Sequence, residues 1–327
     1  MRISNSILEA IGNTPIIKIN KVATDDDATV LVKCEFLNPS GSIKDRVALR
    51  MINEAEKIGR IGPGSIIVES STGNMAIALS MVCAARTYNA VMCVPKGWAT
   101  EERVKILKAY GAEIREVSPG EEIERELRGK SVHGGVVELL PRKECLKMEK
   151  TQPNTWWARQ ALNLDNVLAH REGTGKEILE QTDGKIDAFV AAIGTGGTLL
   201  GVGKLLREKI PDIKIYGVEP ADAPLYNKNL TMLSYMKKYS IPGIEGWLVE
   251  ELKKSGIVDE CFLVEDKDAI NMAHRLCKEE GLFVGMSSGA NVYASLKVAE
   301  KLGKGKTVVT VLPDRRDRYF TSEHFTT

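Results

Sequence analysis

No excess of charge of either sign marks this sequence: 45 Lys+Arg stand against 44 Asp+Glu over 327 residues, a net charge of +1. Nucleic-acid binding rests on a basic patch that neutralises phosphates, so the near-neutral balance argues against it. Long hydrophobic runs are missing as well. The longest apolar-rich window, 75–85, is bounded by Asn74 and Arg86, well short of the ~18 apolar residues a membrane span needs. The N-terminus has no cationic stretch followed by an apolar run, and a cytoplasmic protein is expected. Histidine is scarce, with four residues at 133, 170, 274 and 324, none in H-E-x-x-H or paired with cysteine at ligand spacing. No metal site is expected. The six cysteines form no C-x-x-C pair and read as buried free thiols in a reducing compartment.

What is present is ordinary for a soluble globular protein: 43% hydrophobic and 27% charged residues, in a length that suggests about two domains. Strand-like and helix-like runs alternate. The pattern predicts strands at 29–35, 66–69, 90–94, 113–117, 188–193, 214–218, 282–286 and 307–312. Helices are predicted at 44–59, 74–86, 101–110, 198–209, 266–280 and 287–302. Apolar runs without alternation, separated by helices, indicate parallel sheets covered on both faces. The fold class is α/β. Two stretches break the rhythm: 118–155, charged and mixed, and 220–260, rich in proline and glycine.

Three strand-to-helix junctions carry unusual residues, at the place where α/β sheets bind ligands. Gly194-Thr195-Gly196-Gly197-Thr198 reads as a phosphate cradle, since glycines turn N–H groups toward an anion at the positive end of a helix dipole. A structural glycine turn and a dinucleotide loop are the alternatives; Leu199 breaks G-x-G-x-x-G, although Glu219 could imitate a ribose-binding acid. Lys44, in NPSGSIKDR, falls in a first helical turn, where the dipole disfavours an ammonium and a lowered pKa serves imine chemistry. A solvated surface lysine is the alternative. Ser71-Thr72-Gly73-Asn74 suits a carboxylate, with a plain cap by Thr72 or Asn74 as the alternative. A lysine, a phosphate site and a carboxylate site on one sheet edge match pyridoxal phosphate acting on an amino acid.

The segments ILEAIGNTPIIKI, NPSGSIKDRVALRMI, ESSTGNMAIALSM, IDAFVAAIGTGGTLLGVGKLL, EGLFVGMSSGAN and VVTVLPDRRDRY together resemble the cysteine synthase / cystathionine β-synthase family, over nearly the whole length. Val132-His133-Gly134-Gly135, Trp156-Trp157-Ala158-Arg159-Gln160 and PDRRDRY are also similar to siderophore-pathway enzymes that join phosphoserine to glutamate. The resemblance implies pyridoxal 5'-phosphate fold type II, tryptophan-synthase-β-like, with two domains that are each a mostly parallel twisted sheet covered by helices. Residues 1–40 and 150–327 would form the larger cofactor-binding domain, and 41–149 a smaller mobile substrate-binding domain.

By the same resemblance Lys44 forms the internal aldimine, Gly194, Thr195, Gly196, Gly197 and Thr198 hold the cofactor phosphate, Asn74 meets the ring's phenolic oxygen and Ser287 faces the ring nitrogen. Ser71, Thr72, Gly73 and Gln160 would bind the substrate carboxylate, with Gly243 and Glu245 lining the closed site. The implied reaction is β-replacement through an aminoacrylate, giving L-cysteine from O-acetylserine or O-phosphoserine and sulfide. Cystathionine synthesis, addition of an amine, and cysteine cleavage releasing sulfide are the alternatives. A homodimer is implied. Two departures stand out: Met75 replaces a hydroxyl residue expected near the substrate, and Glu245 adds a carboxylate.

Overall fold

The computed structural model describes residues 3–118, 138–222, 224, 226 and 248–321, with only the backbone of Leu139. Ten strands form two sheets among them. The larger sheet has the order β1-β2-β10-β7-β8-β9, from β1 (Ile16–Lys18), β2 (Thr29–Lys33), β7 (Ala188–Ala192), β8 (Lys214–Pro220), β9 (Glu260–Val264) and β10 (Thr307–Val311). All its pairings are parallel except β1 with β2. The smaller sheet is wholly parallel, in the order β5-β4-β3-β6, from β3 (Ile66–Ser70), β4 (Asn89–Pro95), β5 (Glu113–Val117) and β6 (Thr155–Trp157). Its edge strand β6 falls inside 150–327, the stretch expected to belong with the larger sheet. The pairing of Ile66–Val68 with Thr155–Trp157 carries that strand to the smaller one.

The central strands are apolar and buried nearly throughout, β4 over six of its seven residues. This follows from helices covering both faces. The helix Asn74–Arg86 is apolar on almost every side and buried from Met75 to Cys83. The helices Asp266–Glu280 and Met286–Leu302 approach so closely that a Cβ on Gly289 would strike the Ala269 carbonyl.

The chain leaves the larger sheet after β2 through a 3-10 turn, Glu35–Leu37, and enters the helix Lys44–Lys57. Buried ion pairs fix that crossing. Arg46 Nε meets Glu35 Oε2 at 2.7 Å and Arg46 Nη1 meets Glu177 Oε1 at 2.6 Å, while Lys33 Nζ lies 2.7 Å from Glu177 Oε2. Asp45 closes the preceding loop by accepting the Ser40 N–H at 2.6 Å.

The strand predicted at 282–286 does not form. Only an isolated bridge joins Val284 to Arg315, because β10 already has β2 and β7 on its two sides and offers no free edge. At β7 and β10 the strand order reverses, so the loops after them diverge and leave a crevice.

Candidate active site

A cavity of about 500 Å³ occupies that crevice. The three predicted junctions contribute unequally. Lys44, Asn74, Gly194, Thr195, Gly196, Thr198 and Ser287 line it. Gly197 lies directly behind, where a Cβ would strike the Asn166 side chain. Ser71, Thr72, Gly73 and Gln160 do not line this cavity. Gly243 and Glu245, like His133, Lys228, Lys237 and Lys238, fall outside the described residues.

The glycine loop is shaped by contact. Gly196 has φ +89° and its Cβ position abuts the Leu248 carbonyl at 3.1 Å, whereas a Cβ on Gly194 would meet nothing within 4 Å. The helix Gly197–Lys209 starts at Gly196 with no side-chain cap from that residue; the Gly197 N–H makes only a long bond, 3.4 Å, to Thr195 Oγ1, and the positive end of the helix dipole faces the crevice. Thr195 Oγ1 accepts from Asn166 Nδ2 at 3.1 Å. Behind the loop, His170 is fully buried, with Nε2 3.4 Å from Thr198 Oγ1 and Nδ1 3.1 Å from Thr174 Oγ1. Burial, then the nearby Lys44 and Arg46 charges, hold its pKa well below the ordinary histidine range. Spacing gave no hint of His170 or Asn166, each about 30 residues before the loop it supports.

Lys44 opens the helix Lys44–Lys57, which has no side-chain cap. Its ammonium is pushed down to about 8, chiefly by burial, with Glu138 opposing. The expected direction is found, and burial supplies it. Glu138, another residue that the motifs did not reveal, is pushed up to about 7 by burial, against Arg142 and assisted by Glu69.

Asn74 is engaged at both ends of its amide: Nδ2 donates to Asp314 Oδ2 at 2.6 Å, and Arg318 donates to Oδ1. Neither Asn74 nor Thr72 caps the helix Asn74–Arg86. Its N-cap is Gly73, without a side-chain bond, and Ser71 Oγ accepts the Gly73 N–H at 3.2 Å. Gln160 is buried, its N–H given to Glu69 Oε2 at 2.8 Å and its carbonyl accepting Asn166 Nδ2 at 2.7 Å. Met75 is buried in the smaller sheet's core, in one cluster with Ile67 and Leu79. Glu219 is no free acid: it accepts the Tyr226 N–H at 2.5 Å. All six cysteines are free, four of them buried. Among the described residues no cluster of three or more His, Cys, Asp or Glu is placed to hold a metal, and no helix is long and apolar enough to cross a membrane.

The pyridoxal-phosphate-dependent enzyme family model matches residues 7–314. The chain belongs to that family. It is 40% identical over 319 residues to a cysteine synthase of Staphylococcus aureus (strain N315), covering 97% of this chain and 96% of that one. The fold is similar to a cysteine synthase from Entamoeba histolytica, with TM-score 0.83 at 34% identity over 100% of this chain and 92% of the other. It is also similar to an O-acetylserine-dependent cystathionine β-synthase from Helicobacter pylori, with TM-score 0.82 at 29% identity over 99% and 100% of the two chains. The protein is therefore a pyridoxal-phosphate-dependent enzyme of fold type II.

The residues present fit this cofactor. An amine of depressed pKa and an uncapped glycine loop open on the same cavity. On its lining, Asn291 is fully buried, with Nδ2 given to the Val311 carbonyl at 2.9 Å and Oδ1 without a partner among the described residues. A buried acceptor left unpaired in the free protein is expected to meet a bound group or water.

Proposed function

We propose that the protein makes L-cysteine by β-replacement, from O-acetylserine or O-phosphoserine and sulfide. The observation that carries this reading is the shared cavity: Lys44, with its amine near 8, and the Gly194–Thr198 loop line one crevice. The cofactor, when bound, supplies a sink for the electrons released at the substrate's Cα. The chain's residues do the rest. Gly194, Thr195, Gly196, Gly197 and Thr198 hold its phosphate with backbone N–H groups and hydroxyls. Asn74 gives its remaining amide hydrogen to the ring's oxygen, and Ser287 stands at the ring nitrogen as a neutral partner. Ser71, Thr72, Gly73 and Gln160 seat the substrate carboxylate, with Gly243 and Glu245 closing the site. Lys44 attaches the cofactor and, once freed, takes the α-proton as general base.

In the replacement, the Cβ–O bond to acetate or phosphate breaks with its electron pair leaving on oxygen. Hydrosulfide then forms the Cβ–S bond, and Lys44 returns the proton to Cα. We place residues 1–40 and 150–327 in a cofactor-binding domain and 41–149 in a smaller mobile one, with β6 reaching back to the latter's sheet. A cytoplasmic homodimer acting on small molecules is part of the same reading. The test is product analysis of the holoenzyme supplied with O-acetylserine, O-phosphoserine or serine, each with sulfide, homocysteine or an amino-acid amine. Cysteine from an activated serine and sulfide supports the proposal. Cystathionine, favoured by the likeness to the H. pylori enzyme, or a C–N product would replace it.

A further inference from the structure

Both threonine hydroxyls of the glycine loop are met from behind. Thr195 Oγ1 accepts from Asn166 Nδ2 at 3.1 Å and from the Gly197 N–H at 3.4 Å. The Asn166 amide cannot turn over, because Nδ2 also donates to the Gln160 carbonyl at 2.7 Å, a group that only accepts. With both lone pairs engaged, Thr195 has only its hydroxyl hydrogen to offer the cavity.

Thr198, on the cavity lining, has its Oγ1 3.4 Å from His170 Nε2. The fold holds the two side by side. His170–Gly175 winds as a π-helical turn, and the helix Gly197–Lys209 presses onto it. A Cβ on Gly201 would strike the Val167 carbonyl at 2.3 Å and His170 Cβ at 2.8 Å. The sense of the Thr198–His170 bond depends on which ring nitrogen carries the hydrogen.

Thr174 decides that. It is fully buried, like His170. Its hydroxyl lies 3.1 Å from His170 Nδ1 and has no other partner among the described residues. A hydrogen on Nδ1 would leave the Thr174 hydroxyl hydrogen buried without an acceptor, an arrangement that folded proteins avoid. With Nδ1 bare, Thr174 donates to it and the hydrogen of the ring sits on Nε2. The ring stays neutral because burial, then the nearby Lys44 and Arg46 charges, oppose a second proton.

We propose that His170 is a positioning residue of the cradle: held by Thr174 with its hydrogen on Nε2, it donates to Thr198 Oγ1 and leaves the Thr198 hydroxyl free to donate to the phosphate. The inference rests on the reading of Gly194–Thr198 as the phosphate seat. It gives that seat a polarity, since Thr195 and Thr198 both present hydrogens to the anion. The other tautomer would take the Thr198 hydrogen and turn the oxygen's lone pairs on the phosphate, which also only accepts.

The test uses the holoenzyme with isotope-labelled histidine. Nitrogen NMR, with the His170 ring assigned through its backbone, is expected to show a bare Nδ1 and a protonated Nε2. The reverse pattern would overturn the inference. Cofactor release on dialysis supplies the second reading. His170→Gln places an amide N–H close to the position of Nε2 and is expected to release the cofactor at about the parent's rate. His170→Leu, with no donor, is expected to release it roughly tenfold faster, the effect of weakening one hydrogen bond to a charged acceptor. In the Thr198→Val background the same change should add nothing, because the two residues act through one bond. An effect of His170→Leu that persists undiminished in that background would show a merely structural role and overturn the proposal. Thr198→Val alone separates it from the reading beneath it. If that variant keeps the cofactor as the parent does, the phosphate seat lies elsewhere. If it releases the cofactor quickly while His170→Leu does not, the seat stands and the positioning does not.

Discussion

Asn74 Nδ2 and Asp314 Oδ2, 240 residues apart in the chain, share a hydrogen bond of 2.6 Å. Asp314 also accepts the Tyr319 hydroxyl at 2.5 Å, and Arg318 donates to the other end of the Asn74 amide. The segment after β10 thus fixes which way Asn74 faces: its oxygen is taken, and one amide hydrogen remains for an acceptor in the cavity.

Removal of Asp314 should therefore cost both stability and cofactor retention. Asp314→Ala leaves the Asn74 amide and the buried Tyr319 hydroxyl without their acceptor and removes a carboxylate whose charge acts on Arg318, a loss of about 2–4 kcal/mol. Chemical denaturation measures the first effect, and the rate of cofactor release on dialysis the second.

With Lys44 as the proposed general base, its amine sets the pH dependence of the reaction. The pKa of its amine is lowered to about 8, so the neutral base is scarce below 8 and dominant above it. The rate of α-proton exchange in deuterated buffer should rise through about pH 8 and then level off. Lys44→Ala should lower that rate by about 10²–10⁴-fold, as loss of a general base does.

Gly197 has no room for a side chain. A Cβ there meets Asn166, which holds the Thr195 hydroxyl and the Gln160 carbonyl. Gly197→Ala should weaken cofactor binding at least about tenfold through displaced cradle donors, read by titrating the cofactor-free protein.

The ion cluster at the crossing between the sheets predicts an acid response. The pKa of Glu177 falls to about 2: burial opposes the fall, but the bonds and charges of Arg46 and Lys33 overcome it. A folded pKa below the ordinary carboxylate value stabilises the fold fully above about pH 4.5, a contribution lost as pH falls toward 2. Glu177→Gln should cost about 3 kcal/mol at neutral pH and flatten that part of the acid-denaturation curve.

The parts of this architecture legible in the sequence are those with a continuous physical signal. Central strands such as β4 and helices such as Asn74–Arg86 announce themselves by unbroken apolar runs. The short edge strands β1 and β6 span three residues each, too few to show a period, and β9 is mostly exposed or half-buried. The glycine loop and Lys44 are visible because their residue types are costly where they stand. His170, Asn166 and Glu138 are ordinary residues in ordinary positions, and only the folding of distant segments onto one crevice gives them their place.

The visible spectrum of the purified protein, before and after O-acetylserine is added, bears on both Lys44 and the β-replacement. A violet-region band, absent in Lys44→Ala, is expected to shift when an activated serine is added and to return when sulfide follows. No band after incubation with pyridoxal phosphate, or a band indifferent to every serine derivative, would contradict the proposed reaction.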